Sequence, residues 1–154
     1  MQIRKAKLTD IKQVTNLCLA MQEYHVVFDE GFTLTKNARE GIAWFLKRCV
    51  RSRTKLLIVA EDDGRITGYT LAMLSSRPPI FRRREFGFIE DVFVSEEYRH
   101  RGIAKLMLEA AYLWFRKRGV SEVVLTVHLK NKLGITVWEK EGFETVFLRK
   151  RKWI

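Results

Sequence analysis

One stretch decides the fold of this chain: Glu90-Asp91-Val92-Phe93-Val94-Ser95-Glu96-Glu97-Tyr98-Arg99-His100-Arg101-Gly102-Ile103-Ala104. It predicts a buried strand, a short polar turn and a basic loop that leads directly into a helix. The start of such a helix has free backbone N–H groups and the positive end of the helix dipole, which favour an anion. Gly102 and Ala104 leave room for its approach, and Arg99 and Arg101 add positive charge. The alternative is that Gly102 only forms a tight turn.

Two helices are predicted upstream, because apolar residues recur there at the spacing of one helical face. A short strand at residues 3–5 precedes the first helix, and Thr9 is its expected N-cap. The second helix begins near Thr35 or Lys36. The buried positions are expected to be Ile11, Val14, Leu17, Cys18 and Met21 in the first helix and Ile42, Phe45, Leu46 and Cys49 in the second.

Residues 56–61 and 66–75 are predicted to form a hairpin, because Asp62-Asp63-Gly64-Arg65 between them is a strong turn signal. Arg77-Pro78-Pro79 cannot continue a ladder, so the chain turns before the next strand, 85–94. That strand leads into the stretch quoted above.

Downstream of the basic loop, a helix is expected to end at Gly119. Residues 123–127 are β-branched or apolar throughout, as in a strand covered on both faces. The strand, helix, strand unit gives two parallel strands with a right-handed crossover. A helix at 132–141 and a strand at 143–150 complete the order βααβββαβαβ, an α/β domain over residues 1–154. The inward residues of the helix after the loop are expected to be Ile103, Leu106, Met107, Ala110, Leu113 and Trp114.

Composition narrows the class of protein. A chain of 154 residues with 47% hydrophobic and 31% charged residues is long enough for one globular domain. No apolar run reaches membrane-spanning length, and the N-terminus lacks a secretory signal, so a cytoplasmic location is expected. Cys18 and Cys49 fall in helical patterns, which argues for free buried thiols. No metal-ligand spacing is present, so no metal is expected.

The formal net charge of +11 has two interpretations. It is a solvated face, which is the favoured interpretation, or it attracts an acidic macromolecule such as RNA. No aromatic-interleaved nucleic-acid motif accompanies the charge. Its carriers are Arg82-Arg83-Arg84, Arg99, Arg101, Arg116-Lys117-Arg118 and Arg149-Lys150-Arg151-Lys152.

Two motifs resemble the GNAT superfamily of acyl-CoA-dependent N-acetyltransferases. The first is Arg99-His100-Arg101-Gly102-Ile103-Ala104, which matches that family's R/Q-x-x-G-x-G/A loop. The second resembles its N-x-x-A-x-x-x-Y-E-K-x-G-F pattern, with Gly in place of Ala and Trp in place of Tyr. It comprises Asn131, Gly134, Trp138, Glu139, Lys140, Gly142 and Phe143.

The resemblance implies a GNAT-like mixed, mostly antiparallel sheet with splayed parallel central strands and helices on both faces. It also implies an acetyltransferase with acetyl-CoA as the acetyl donor and a primary amine as acceptor, a small cationic amine or a protein amine, by direct attack in a ternary complex. The implied cofactor-binding residues are Val92, Phe93, Val94, Arg99, His100, Arg101, Gly102, Ile103, Ala104, Lys105, Asn131 and Trp138.

For several residues of these motifs, more than one role is possible. The main chain of Val92 and Val94 would pair with the pantetheine arm as an added strand, while their side chains belong to the core. Asn131 would lie near the cofactor arm, and it is equally a favoured helix N-cap; the two roles are compatible. Trp138 replaces the tyrosine that protonates the departing thiolate in relatives. Because indole is no useful acid, packing is the favoured role of Trp138, and a water, another tyrosine or no general acid at all would protonate CoA.

An amine attacks a thioester only as the free base, so a base is needed. Glu90 is the candidate by resemblance, and a structural ion pair with an arginine is the alternative. Strand alternation would point Asp91 to the other face. The backbone N–H of Val92 is the candidate donor to the oxyanion.

The acceptor side is the least determined part. By resemblance it involves the loop between the first two helices, where carboxylates suit a cationic amine. A plain polar loop with one buried aromatic is the alternative. The segment after Gly142 is short for the two last strands of many relatives, so the acceptor side is expected to be open or to be completed by a second subunit in a homodimer. The competing function is a basic RNA- or ribosome-binding module with CoA as a non-catalytic ligand. The acceptor-side candidates are Tyr24, His25, Phe28, Asp29 and Glu30.

Overall fold

The computed structural model describes residues 1–82 and 84–154; Arg83, part of a predicted basic cluster, lies outside the described residues. Short 3-10 turns precede α1, α2 and α3. Among the described residues, no helix is long and apolar enough to cross a membrane. The helices and strands are β1 (Gln2–Lys5), α1 (Ile11–Val26), α2 (Ala38–Arg51), β2 (Lys55–Asp62), β3 (Arg65–Ser76), β4 (Glu85–Val94), α3 (Ile103–Arg116), β5 (Val123–Leu125) and α4 (Lys132–Lys140).

The described strands form a mixed sheet in the order β1-β2-β3-β4-β5. The first three pairings are antiparallel, and β4 pairs with β5 in parallel. The turn between β2 and β3 has Asp63 at φ 48° and Gly64 at φ 76°, the left-handed geometry of a tight hairpin. The hairpin, the mixed sheet and the parallel pair confirm the predicted fold class.

Helices cover both faces of the sheet because buried residues alternate along its central strands. On β2, Leu57 and Val59 pack against α1 and α2, whereas Ile58 and Ala60 pack on the α3 side. Each face therefore has its own apolar core. Cys18 and Cys49 are buried free thiols in the α1 and α2 layer.

Strand β4 contains a β-bulge at Glu90, close to the point where its pairing with β5 ends. Leu71 of β3 lies opposite Asp91 and Ala72 lies opposite Ile89, so Glu90 is the extra residue. The ladder from β4 to β5 ends at the Ile89 and Leu125 pair. The prediction of a strand over 123–127 covered on both faces is therefore wrong: β5 stops at Leu125 and is only half-buried. A bulge bends its strand, and here pairing with β5 ends where the bulge begins.

Two predictions about helices are also wrong. Thr9 is not the N-cap of α1, because a 3-10 turn at Leu8–Asp10 comes first and places Asp10 at that position. On α3, Leu106 and Leu113 are about half exposed. The buried stripe is rotated by part of a turn and consists of Ile103, Met107, Leu108, Ala111 and Phe115.

The last strand predicted, 143–150, does not form. Residues 143–154, here called the C-terminal tail, contain neither helix nor strand. Val146, Phe147 and Leu148 have the composition of a strand but are exposed, Phe147 by 88%. A strand needs a neighbouring edge for its backbone groups, and none of the described strands pairs with the tail. β-composition therefore failed here as a predictor.

Candidate active site

The loop between β4 and α3 has the backbone geometry of an anion site. His100 and Gly102 adopt left-handed conformations, with φ of 63° and 73°. Gly102 is the N-cap of α3 and carries no side chain that could cap it. The N–H groups of the first helical turn therefore remain available, and the positive helix end adds to their attraction. Successive amides in such a turn form a concave anion-binding nest.

A shallow pocket of about 120 Å³ lies at this loop, and Val94, Tyr98, Arg99, His100, Gly102, Ile103 and Ala104 line it. The arginines are partly engaged with the backbone at its rim. Arg99 Nε donates to the carbonyl oxygen of Val94 at 3.1 Å, and Arg101 Nη2 donates to that of Glu97 at 2.9 Å. Ile103 is buried in the core, so only its backbone faces the loop, while Lys105 is exposed.

The part of β4 beyond the bulge offers its backbone to the gap beside β5. Val92, Phe93 and Val94 pair with β3 on one side, whereas the ladder to β5 has already ended at Ile89. The side chains of Val92 and Val94 pack in the α3 core and that of Phe93 packs in the opposite core. This edge can accept an extended ligand as an added strand.

The second motif lies at α4. Asn131 caps this helix, since its Oδ1 accepts from the backbone N–H of Gly134 at 2.9 Å. A Cβ on Gly134 would lie 2.6 Å from Asn131 Nδ2, which explains glycine where the family pattern has alanine. Trp138 packs against the α3 core, with its ring 5.5 Å from that of Phe143. Direct contacts therefore support the role of Asn131 as a helix cap and the role of Trp138 as a packing residue.

Glu90 and Asp91 do not follow simple strand alternation. Ile89 and Val92 both pack in the α3 core although they are three positions apart, because the bulge at Glu90 resets the alternation. Asp91 lies on the opposite face, where its Oδ2 accepts from the Tyr69 hydroxyl at 3.2 Å. Glu90 is exposed, and among the described residues its carboxylate has no cation within 4.0 Å.

Of the neighbouring carboxylates Glu90 and Asp91, Asp91 has an unusual pKa. Burial, followed by the negative charge of Glu90, raises the pKa of Asp91 to about 6, although the hydrogen bond from Tyr69 opposes the shift. A carboxylate with such a pKa can hold or release a proton near neutral pH. Tyr69 is fully buried. The sequence contained one signal for Asp91, its adjacency to Glu90, but none for Tyr69, which comes from β3.

Tyr112 on α3 was also missed. Its hydroxyl is buried, and no hydrogen-bond partner for it is found among residues 1–82 and 84–154. The ring packs at the α3 core to which Trp138 also belongs. Burial and the charge of Glu141 raise the pKa of Tyr112. Tyr112, which the sequence places on an ordinary helix face, thus lies near the second motif, residues 131–143.

The predicted acceptor residues form a ring cluster. Phe28 stacks on His128 with ring centres 6.1 Å apart, and His25 lies 6.4 Å from Phe28. Tyr24 contacts Phe28 edge-on at 5.0 Å. His128 follows β5 and was not predicted, since it is about a hundred residues from the other rings in sequence. Three of the predicted acceptor residues are thus brought together with an unexpected fourth ring.

Asp29 joins that cluster to the C-terminal tail. Its Oδ1 accepts from the backbone N–H of Gly31 at 2.9 Å, and its Oδ2 lies 2.9 Å from Arg151 Nη1 and 3.7 Å from His128 Nε2. The Gly31 hydrogen bond and then Arg151 lower the pKa of Asp29. Burial and the charge of His128 lower the pKa of His25. Asp29 is therefore a carboxylate held in its charged form.

The chain is similar to known acetyltransferases over most of its length. The model of the acetyltransferase (GNAT) family matches residues 19–143. An N-alpha-acetyltransferase from Sulfurisphaera tokodaii is 25% identical over 154 residues, 94% of this chain and 81% of that protein. A spermidine N(1)-acetyltransferase from Thermoplasma acidophilum is 24% identical over 153 residues, 93% and 88% of the two chains. A structure from Clostridium acetobutylicum, described as a predicted acetyltransferase with acetyl-CoA, has a TM-score of 0.77 at 20% identity and covers 97% and 95%.

Proposed function

Because the chain belongs to the acetyltransferase (GNAT) family, an enzyme family that uses acetyl-CoA as the acetyl donor, we propose that it acetylates a primary amine by direct attack in a ternary complex. The whole of residues 1–154 would act as one N-acetyltransferase domain. The observation that carries the proposal is the juxtaposition of the free β4 edge with the Glu90 and Asp91 carboxylates.

The residues at the β4–α3 loop fit the donor. The nest at His100 and Gly102 would take the pyrophosphate, and the main chain of Val92 to Val94 would pair with the pantetheine arm. The carbonyl of Val94 accepts from Arg99, but a carbonyl oxygen has a second lone pair. Asn131 would support the arm while it caps α4. Bound acetyl-CoA supplies a thioester that an amine attacks.

Glu90 and Asp91 would share the work of deprotonating the amine. Glu90 is exposed at the bulge and reaches solvent, so it can receive a proton through water. Asp91 with a pKa of about 6 exchanges protons at neutral pH, and the two negative charges attract an ammonium before it loses its proton. The backbone N–H of Val92, beside the bulge, is the proposed donor to the oxyanion.

The departing thiolate needs no tyrosine in this proposal. A thiol has a pKa of about 8.5, whereas a tyrosine hydroxyl has a pKa of about 10. Tyr112 does not line the pocket at the β4–α3 loop, and a thiolate whose conjugate thiol has a pKa of about 8.5 takes up a proton from solvent at neutral pH. Trp138 offers no useful acid either. We assign protonation of CoA to solvent, with Trp138 as a packing residue.

The acceptor would be a small cationic amine or a protein amine. The two relatives named above differ in this respect, since one name specifies an α-amine and the other spermidine. The carboxylates Glu90, Asp91 and Asp29 favour a cationic amine. The alternative of an RNA- or ribosome-binding module gains no support from the comparisons, and the cytoplasmic location stays a prediction.

A homodimer is part of the proposal, because the exposed Val146, Phe147 and Leu148 have strand composition and β5 forms the edge of the described sheet. A second copy could cover both. Light scattering on the purified protein tests this: a monomer at micromolar concentration would contradict it.

The function itself is tested by two measurements. Calorimetry should show saturable binding of acetyl-CoA, and a thiol assay should show CoA release with at least one member of a panel of polyamines, aminosugars, amino acids and peptides. Steep salt-dependent RNA binding together with no turnover on the panel would favour the binding module instead.

A further inference from the structure

One tail arginine occupies the acceptor-side carboxylate. The Asp29 side chain is only 12% exposed, whereas that of Arg151 is 53% exposed. Arg151 Nη1 lies 2.9 Å from Oδ2 and 3.2 Å from Oδ1 of Asp29. The tail that carries Arg151 has no helix or strand. The cation is therefore held mainly by its own contacts, and another cation could displace it.

The surroundings of Asp29 suit an organic ammonium. Phe28 and Phe32 contact the His128 ring, stacked at 6.1 Å and edge-on at 6.4 Å, and His128 in turn lies beside Asp29. A carboxylate next to aromatic rings combines ion pairing with contacts to the apolar stem of an alkyl amine. Arg151 shows that a cation on a flexible stem reaches this place.

Helix α1 connects the surroundings of Asp29 to the Glu90 and Asp91 pair on β4. Met21 of α1 has its Sδ 3.6 Å from the hydroxyl of Tyr69, which donates to Asp91. His25 of the ring cluster follows Met21 by one helical turn, a rise of about 6 Å. The acidic pair and the ring cluster beside Asp29 therefore both adjoin α1, and a linear molecule with two amines is the kind of ligand that could contact both.

We propose that Asp29, with Phe28, Phe32 and His128, is a subsite for the distal cation of a diamine or polyamine acceptor, and that Arg151 is an internal competitor for it. The inference rests on the proposed amine acetylation and names its substrate class. It also gives the C-terminal tail a role: the enzyme binds its acceptor only as Arg151 leaves Asp29.

The test measures binding, so it does not depend on turnover. The protein is saturated with CoA, which cannot donate an acetyl group, and titrated calorimetrically with 1,8-diaminooctane and, as a matched monoamine, 1-aminooctane. Arg151→Ala should bind the diamine roughly three- to tenfold more tightly than the wild type, the worth of one partly exposed ion pair, with the monoamine unchanged. Arg149→Ala, which removes an equal tail charge without touching Asp29, should match the wild type.

Asp29→Asn should lose the preference for the diamine over the monoamine. Unchanged or weaker diamine binding by Arg151→Ala would overturn the subsite, as would a preference that persists in Asp29→Asn. Since Arg151 lies in the exposed tail, its variant decides the matter even if Asp29→Asn fails to fold. Acetylation of amines without this binding pattern would remove the subsite alone, whereas the binding pattern without any acetylation would remove the proposed function alone.

Discussion

The two halves of the candidate site are built in different ways. The donor half consists of backbone: a loop with two left-handed residues, a helix start and a strand edge, all within residues 90–105. The acceptor half consists of side chains from α1, the loop after it, the segment after β5 and the C-terminal tail. A backbone site depends on local sequence, whereas a side-chain site depends on how distant segments meet. The following experiments separate the two halves.

The largest effect is expected at the acidic pair, where the halves meet. Replacing a general base costs about 10²- to 10⁴-fold in rate. Glu90→Gln should lower kcat/KM by about that factor, with a larger deficit at low pH, where little free amine is present. Asp91→Asn should lower it by a smaller factor and remove an ionisation near pH 6 from the rate profile. Steady-state kinetics from pH 5.5 to 9 measures both, and an equal loss at every pH would exclude Glu90 as the base.

Breaking the donor half alone should cost binding and leave the fold intact. Gly102→Glu places a negative charge beside the proposed pyrophosphate site at a residue with φ 73°, so acetyl-CoA binding should weaken by at least about a hundredfold, as expected for repulsion in place of attraction. Gly64→Glu is the matched control, because Gly64 has φ 76° and equally open surroundings but lies in the β2–β3 turn. Equal loss of binding in both variants would mean general damage.

The raised pKa of Asp91 should appear in stability. The folded protein binds a proton at Asp91 with a pKa of about 6, above the ordinary value of 3.8, so this group's contribution to stability falls as pH rises through that window. Two pKa units correspond to about 3 kcal/mol, and partial solvent exposure reduces this to roughly 2 kcal/mol. Between pH 4 and pH 7, Asp91→Asn should therefore gain about that much relative to the wild type in urea unfolding. Parallel pH curves would show that Asp91 titrates normally.

The smallest effect is expected at Asn131, whose cap is local. Asn131→Ala should cost about 1 kcal/mol of unfolding free energy, the usual worth of a helix cap, while Asn131→Ser retains most of it. If the alanine variant also weakens acetyl-CoA binding while the serine variant does not, the cap positions the second motif. If neither variant changes acetyl-CoA binding, the role of Asn131 is limited to capping α4.

The donor half of the site could be predicted from the sequence, whereas the acceptor half could be predicted only in part. Residues 99–104 could be identified from the sequence because glycine, arginine and a helix start are neighbours there, and the order of helices and strands up to α4 followed from periodicity. The bulge at Glu90 could not, because a single extra residue leaves no mark in the composition of a strand. His128 and Arg151 could not be connected to Asp29, because nothing in the chain between them encodes the contact. The C-terminal tail was predicted as a strand because composition measures propensity and not the availability of an edge.

The chain-order sheet also has a consequence for folding. β2, β3 and β4 are consecutive and pair through short connections, whereas β5 joins only after the chain has passed through α3 and its ladder contains three residue pairs. Local pairings form early and long-range ones late, so we expect the consecutive antiparallel strands β2, β3 and β4 to be the stable nucleus and β5 the last strand to dock. Amide hydrogens of β5 should exchange sooner than those of β2 and β3. The gap that is proposed to receive the donor would then be bordered by the last strand to dock, and acetyl-CoA binding should slow amide exchange in β5 while leaving exchange in β2, β3 and β4 unchanged.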